Sequence, residues 1–560
     1  MKNNMILQSE KGFAALIALI MVGMLTLIGI AALSTSDDEV TITGNELQET
    51  RAFYSAEAGL EIATAQLETA FDSTNGPPAI LPVGSTKDIN NCMVNYTTTD
   101  NGAPVTEKVT SGTMSGLNAF IKSYTVSSTS ISHTDNAKVT ISQNFEAIMV
   151  PIFQWAVFFN DEMWAQPVFD LSVDGRVHVN EDMYIQNTGK GKAMSFLDKV
   201  TCGGDINHGF PGGASSNGDV QFTDPSGNLV SMQQGSSWID AGNKNWYDTA
   251  MTLWRGNVQD QSFGQEKLNL PISNSADPHK IIERSTGNSD SYQNKATFQI
   301  IDGVPLAKIG TVWQDVSAML PAGTITSDGS KDFYDGHESK NVQNTQIDVG
   351  LLKTSKYFPP NGILYVSDHG TVNGSNLNGT SLVNGAELGA PLTVVSENPL
   401  YIQGDYNTVN KQPASTISDA VTFLSNNWDP ALSKDKYSNR KASPTTVNVS
   451  VVTGDITPTS KNYGGGLENL PRFLEHWGGE TFSLRGSMVQ MWRSQQALGE
   501  WRYTNGKNPY YSAPTRDWGF DLDLNDMSKL PPGTPLVRSF QRKGWNYENA
   551  GYANVNNATQ

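Results

Sequence analysis

Cysteine is nearly absent from this chain, with only Cys92 and Cys202 in 560 residues. Their wide separation excludes a C-x-x-C redox motif or a zinc site built on paired cysteines. In an oxidising space a disulfide between them is permitted; two buried free thiols are the alternative. Charge is also sparse, at 17% of residues, and basic residues are fewer than acidic ones, leaving a formal net charge of −18. With no basic patch to offset the acid, nucleic acid is excluded as a partner. The seven histidines are scattered, and the chain has no nucleophile elbow and no H-E-x-x-H pair. Asp368-His369-Gly370 and His178 invite a catalytic interpretation, but nothing beside them in sequence supplies a nucleophile. Asp521-Leu522-Asp523-Leu524-Asn525-Asp526 lacks the glycine of a calcium loop. Its alternation predicts a strand with acids on the wet face. The expectation is a protein that is not an enzyme and carries no cofactor and no metal.

A second long apolar run is missing as well; there is one, Phe13 to Leu33. About 20 apolar residues suffice for a helix to cross a hydrocarbon core of ~30 Å. A secretory signal would have an apolar core of about 7–15 residues, so this run is too long for one, although Ala31-Ala32-Leu33-Ser34 resembles a poor cleavage site. Helical periodicity then continues outside the apolar run. Leu47, Phe53, Ala56, Leu60, Ala63, Leu67 and Phe71 form an apolar stripe at spacings of mostly three and four. Thr43-Gly44-Asn45 interrupts it, and glycine inside a helix costs about 1 kcal/mol relative to alanine, so a loosened turn is expected there. A helix of some 55 residues would be about 80 Å long at 1.5 Å per residue.

Glu10-Lys11-Gly12-Phe13, followed by the apolar run, resembles the class III leader of type IV prepilins. Gly44-Asn45 with Ala52-Phe53-Tyr54-Ser55-Ala56-Glu57-Ala58-Gly59-Leu60 is similar to the N-terminal domain of PilX-type minor pilins. The resemblance covers roughly the first 70 residues. It implies cleavage between Gly12 and Phe13 by prepilin peptidase, methylation of the new amino group on Phe13, and passage of the subunit from the bacterial inner membrane into a pilus. Its partners would be other pilins, met through the N-terminal helix, with a tip adhesin or surface ligand beyond them. One departure stands at the fifth mature position, where Ile17 replaces the glutamate of major pilins. That carboxylate is thought to neutralise a neighbouring subunit's terminal amine in the apolar filament core, where an unpaired charge costs several kcal/mol. A subunit lacking it fits the tip, where no subunit lies ahead. PilX-type and type II K pseudopilins share the departure. A K-class pseudopilin of a type II secretion system and a membrane-anchored carbohydrate-binding surface protein are the alternatives.

The expected fold class is α+β: a long N-terminal helix with a small antiparallel sheet, then a large mainly-β domain. The expected boundaries are a leader (1–12), a helix (13–71, membrane part 13–33), a β head (72–150), a β-rich domain (151–545) and a flexible tail (546–560). Cys92–Thr98, Ala119–Ser130 and Lys138–Val150 alternate as strands with one buried face. From Pro151 onward, apolar triplets turn at Gly, Asn or Asp corners into further triplets. That pattern predicts a β-solenoid, with a β-sandwich as the alternative. Pro413–Asn426 and Leu467–Trp477 are expected to be helices. Trp477, Trp492, Trp501, Tyr503, Tyr510, Tyr511, Trp518 and Trp545 cluster near the C-terminus. Most are expected to fill a core, with Tyr510 and Tyr511 as candidates for exposed binding surface.

Overall fold

A computed structural model describes residues 4–73, 76–134, 136–209, 216–272, 277–285, 290–370, 374–459, 464–502 and 509–552, without the side chains of 4–11, 87 and 549–552. Asn75, Asp135, Tyr503 and the tail beyond Tyr552 therefore lie outside the described residues.

Helix α1 (Asn4–Ser73) is a single α-helix. It contains no proline, so no position forces a break. The loosened turn expected at Thr43-Gly44-Asn45 is not there, and the helix runs through it unbroken. Just upstream, Thr41 returns its hydroxyl to the Asp37 carbonyl at 2.8 Å, a bond made within the helix itself. Every residue from Gly12 to Leu47 is exposed, and burial begins in earnest at Ala52. From there Ala52, Ala56, Leu60, Ala63, Leu67 and Phe71 make one buried line. Leu47, counted in the stripe by its spacing, is exposed because the sheet does not reach that far.

That sheet comprises β1 (Val83–Ile89), β2 (Cys92–Asp100), β3 (Val105–Lys108), β4 (Asn118–Ser132) and β5 (Ala137–Pro151). All pairs are antiparallel, in the order β1-β2-β4-β5 with β3 against β4. The three segments expected as strands are β2, β4 and β5. Tyr124, Val126, Val139, Ile141, Phe145 and Ala147 form the face that covers α1. Helix and sheet thereby each bury the apolar side that neither could leave in water.

The other edge of β5 is occupied by the strand Leu536–Tyr552, antiparallel from Pro151↔Leu536 to Ala137↔Tyr552. This corrects the expected organisation. Asn546–Tyr552 is paired strand, not tail, and the head is completed by residues from the far end of the sequence. Residues 152–535 are an insertion between two hydrogen-bonded neighbours.

Inside the insertion most ladders are parallel, with antiparallel hairpins at Asp219–Thr223 with Leu229–Ser231 and at Phe298–Ile301 with Val304–Ile309. Val157–Phe159, Met163–Ala165 and Leu171–Val173 lie in three different sheets. Each pairs in register with its successor: Val177–Val179, Met183–Ile185 and Ala193–Phe196. Val200–Cys202, Ile206–His208 and Asp219–Thr223 follow in the same way. A second run stacks Phe298–Ile301, Ile363–Ser367, Leu392–Ser396, Ala414–Ser418, Ser450–Asp455 and Met488–Arg493, also in parallel. Met488–Arg493 then pairs with Val157–Phe159, joining both runs in one 12-stranded sheet. The chain therefore enters and leaves at the middle of the stack. Many of these strands are buried on both faces, as in Ile363–Ser367 and Leu392–Ser396, which is why they read as apolar runs without alternation.

Two expected helices are absent. Pro413–Asn426 forms the strands Ala414–Ser418 and Val421–Leu424, each paired in parallel on both sides. Leu467–Trp477 holds one 3-10 turn, Leu467–Asn469, and the short strand Arg472–Phe473. In both cases non-local pairing overrides a local apolar spacing that imitates a helix. The strand expected at Asp521–Asp526 is a 3-10 turn, Leu522–Asn525, in which the Asp521 side chain accepts from the Asp523 amide.

Candidate functional site

The expected processing and assembly residues all lie on α1. Gly12 has open space around it, and Phe13, Ile17 and Leu33 project from a stretch of the helix that no other described residue covers. The apolar span is long enough to cross a membrane and none of it is buried. Exposed leucines and isoleucines along its whole length cannot be a stable end state in water, at about 25 cal/mol per Å² of apolar surface. The helix requires a lipid or protein partner.

The motif residues divide into two groups. Gly44 and Asn45 are exposed, and a side-chain atom added at Gly44 would touch nothing. Ala52, Ala56 and Gly59 face the sheet. A Cβ on Gly59 would fall well inside contact with Val94 Cγ1 and Ser128 Oγ. The helix therefore approaches β2 and β4 as closely as it does because residue 59 has no side chain. Ser55 donates to the Arg51 and Ile89 carbonyls, at 2.7 and 2.9 Å, and pins the helix to the end of β1. Glu57 is exposed, while Phe53 and Ala58 are half-buried. Phe53 packs edge-on to Trp545 and Tyr547, whose strand the sequence had not placed beside it.

Arg542 clamps Glu61 with two bonds of 2.6 and 2.8 Å, which holds the Glu61 carboxyl below its usual range. This pair is exposed and adds little stability. Arg538 is different: it is buried and donates to the carbonyls of Phe71, Leu270 and Ile272 at 2.8, 3.2 and 2.9 Å. One guanidinium thus ties the end of α1, the returning strand and the inserted domain together.

The residues that invited a catalytic interpretation have structural roles. His178 is fully buried between Thr201 Oγ1 (2.8 Å) and Asn180 Oδ1 (2.9 Å), and burial pushes its pKa down to about 4. His369 Nε2 meets Glu397 Oε1 at 2.9 Å, but the Ser367 hydroxyl bonds the same carboxylate and not the imidazole. No serine–histidine couple is formed there. Cys92 and Cys202 are both free and buried. They lie in separate cores, Cys92 under α1 and Cys202 inside the inserted β domain, which rules out the disulfide. Tyr510 and Tyr511, the candidates for an exposed surface, are only 4% and 3% accessible and pack around Phe473 and His337. Exposed aromatic surface lies instead at Trp545 and Tyr54, where the head meets the free helix.

Inside the inserted β domain, Glu475 accepts from the Ser425 amide (2.6 Å) and hydroxyl (2.7 Å), and burial raises its pKa to about 7. The folded state holds a proton there that the unfolded chain, at 4.5, has lost. Stability should therefore fall as pH rises from about 4.5 to 7, by up to about 3 kcal/mol at 1.36 kcal/mol per unit. Thermal unfolding between pH 4.5 and 8 should show the decline, and Glu475→Gln, neutral throughout, should make it shallower, with Glu338 and Asp455, raised by burial to about 7 and about 6, contributing to what remains.

No family model matches the sequence, and no curated protein does. Among solved structures, the competence-associated pilin ComZ from Thermus thermophilus is similar over 90% of this chain and 98% of its own, with a TM-score of 0.30 and 12% identity. At that score and identity the likeness establishes neither family nor function.

Proposed function

We propose that the chain is a minor pilin of a type IV pilus. It would be cut between Gly12 and Phe13 and carried into the filament by its apolar helix, with its large head at the tip. The observation that carries this reading is the division of α1. One half is wholly uncovered and apolar over Phe13–Leu33, and the other half is packed on an antiparallel sheet. Such a helix can exchange lipid for neighbouring helices without disturbing the head. Tip placement rests on two further points. Ile17 offers no charge to a terminal amine ahead of it, and an insertion of residues 152–535 is too bulky to repeat along a close-packed shaft. The parallel ladders support treating that insertion as a β-solenoid, which in this reading presents a surface at the tip.

Gly12→Glu should leave the chain uncut in the membrane and absent from sheared filaments, read by immunoblot and by N-terminal mass spectrometry for a methylated Phe13. Filaments that still contain the uncut variant would overturn the proposal. Loss of secreted enzymes in place of pili, on deletion of the gene, would favour a type II pseudopilin.

A further inference from the structure

The bare surface of α1 does not end with its apolar run. Leu33, Val40, Leu47 and Tyr54 follow one another at intervals of seven residues, and each is between 49% and 69% exposed. Nine residues make about two and a half helical turns, so Leu47 and Tyr54 stand on the side of α1 opposite Ala56 and Ala63, which face the sheet. The sheet stops short of Leu47, and the Leu47 side chain also points away from it. At the head this line meets exposed aromatic surface. Tyr54 packs edge-on to Phe53, with ring centres 5.5 Å apart, and Phe53 in turn touches Trp545 and Tyr547. Trp545 is itself 53% exposed. Aromatic side chains held on one side and bare on the other are the usual anchors of a protein interface.

The spacing, the length and the charge of this surface each bear on what covers it. A seven-residue apolar repeat along a helix is matched by a second helix, because winding at 3.5 residues per turn keeps one line in contact over many turns. Lipid does not reach far enough. Tyr54 stands 21 residues beyond Leu33, about 31 Å at 1.5 Å per residue, whereas the headgroups add only about 5–8 Å to each side of the hydrocarbon. A second copy of the chain is opposed by charge. Asp37, Asp38, Glu39, Glu46 and Glu49 accompany the line, and Arg51 is the one base between Leu33 and Tyr54. Two copies side by side would bring these carboxylates together, and each whole chain carries a net charge of −18. Like charges beside an apolar seam reject a partner and opposite charges select one. A helix that carries Lys or Arg beside its own apolar repeat meets both the seam and the acids.

We propose that Val40, Leu47, Tyr54 and Trp545 form a docking surface for a basic amphipathic helix of a different protein subunit, and not for a second copy of this chain. The inference rests on the extramembrane part of α1 and not on cleavage at Gly12, so either can fail while the other stands. The test uses the full chain in a non-ionic detergent and three labelled synthetic helices. One carries leucines at heptad spacing flanked by lysines, one has glutamates in place of the lysines, and one is the lysine peptide with its sequence scrambled. Fluorescence anisotropy should show the lysine helix binding one to one, with an affinity that falls about tenfold or more when salt is raised from about 0.05 to 0.5 M. The glutamate helix and the scrambled peptide should bind at least about tenfold more weakly. Leu47→Ser and Tyr54→Ser, at exposed positions that the sheet does not use, should each weaken binding several-fold. Glu39→Lys combined with Glu46→Lys should turn the preference toward the glutamate helix. Equal binding of the lysine helix and its scrambled form, or unchanged affinity in Leu47→Ser, would overturn the proposal. So would self-association of the chain, read by sedimentation, that Leu47→Ser abolishes.

Discussion

Deletion of residues 536–560 is expected to unfold the head and release α1 from its sheet. The strand removed carries Val537, which is buried, and Phe540, which stacks on Phe145 with ring centres 5.2 Å apart. Burying each such side chain is worth about 1.5–3 kcal/mol. Arg538 goes with them, and the carbonyls of Phe71, Leu270 and Ile272 lose a charged donor, at about 1.5–3 kcal/mol for each bond. The loss is on the order of 10 kcal/mol, comparable to the whole stability of a domain at 5–15 kcal/mol. The bare edge of β5 would add an aggregation hazard. Limited proteolysis should then cut in the helix around Leu60, which is protected in the full chain. Deletion of 546–560 alone removes the pairing of Asn546–Tyr552 with Ala137–Ser142 and should lower the unfolding midpoint by a smaller, measurable step. A free tail would leave it unchanged.

The strand Leu536–Tyr552 also shows where sequence reasoning stops. Arg542-Lys543-Gly544 and the asparagines after it look like solvated chain because this is the outer strand of the sheet, with one side in water. Its partner, β5, is nearly four hundred residues away, and no local pattern encodes that pairing. By contrast, α1 and the strands β2, β4 and β5 were legible, because each buries one face and leaves the other wet. Their periods of 3.6 and 2 survive in the sequence. The apolar triplets from Pro151 onward were visible as strands, but both faces of several are buried, so the alternation that fixes a register is absent. Pro413–Asn426 failed for the same reason: Ile417, Ala420, Val421, Phe423 and Leu424 are all buried, which leaves a spacing that a helix would also show.

Gly59→Leu is expected to be the most damaging single substitution on α1, with Gly59→Ala an intermediate step. In an exposed helix, replacing glycine with alanine gains about 1 kcal/mol. At residue 59 the new Cβ meets Val94 and Ser128, and forcing extra carbon into a packed core typically costs 1–3 kcal/mol. Alanine should therefore lower head stability slightly to moderately. Leucine adds three more carbons beyond that Cβ, so it should cost about 3 kcal/mol or more, or lift the helix from β2. Gly44→Ala is the internal control. Nothing lies within 4 Å of a Cβ at that position, so only the helix propensity changes and stability should hold or rise. Thermal unfolding of the four chains would order them as Gly44→Ala, native, Gly59→Ala, Gly59→Leu. Adding Val94→Ala to Gly59→Ala should recover part of the loss, since the two positions share one volume. An equal effect at residues 44 and 59 would mean that glycine serves helix flexibility and not close packing. The distinction bears on assembly. A helix held against its sheet at Gly59 fixes the angle at which the uncovered half meets its neighbours. A helix lifted there would still enter a membrane but would present its head in no single orientation. Gly59→Leu chains should then be processed normally and yet be depleted from sheared filaments.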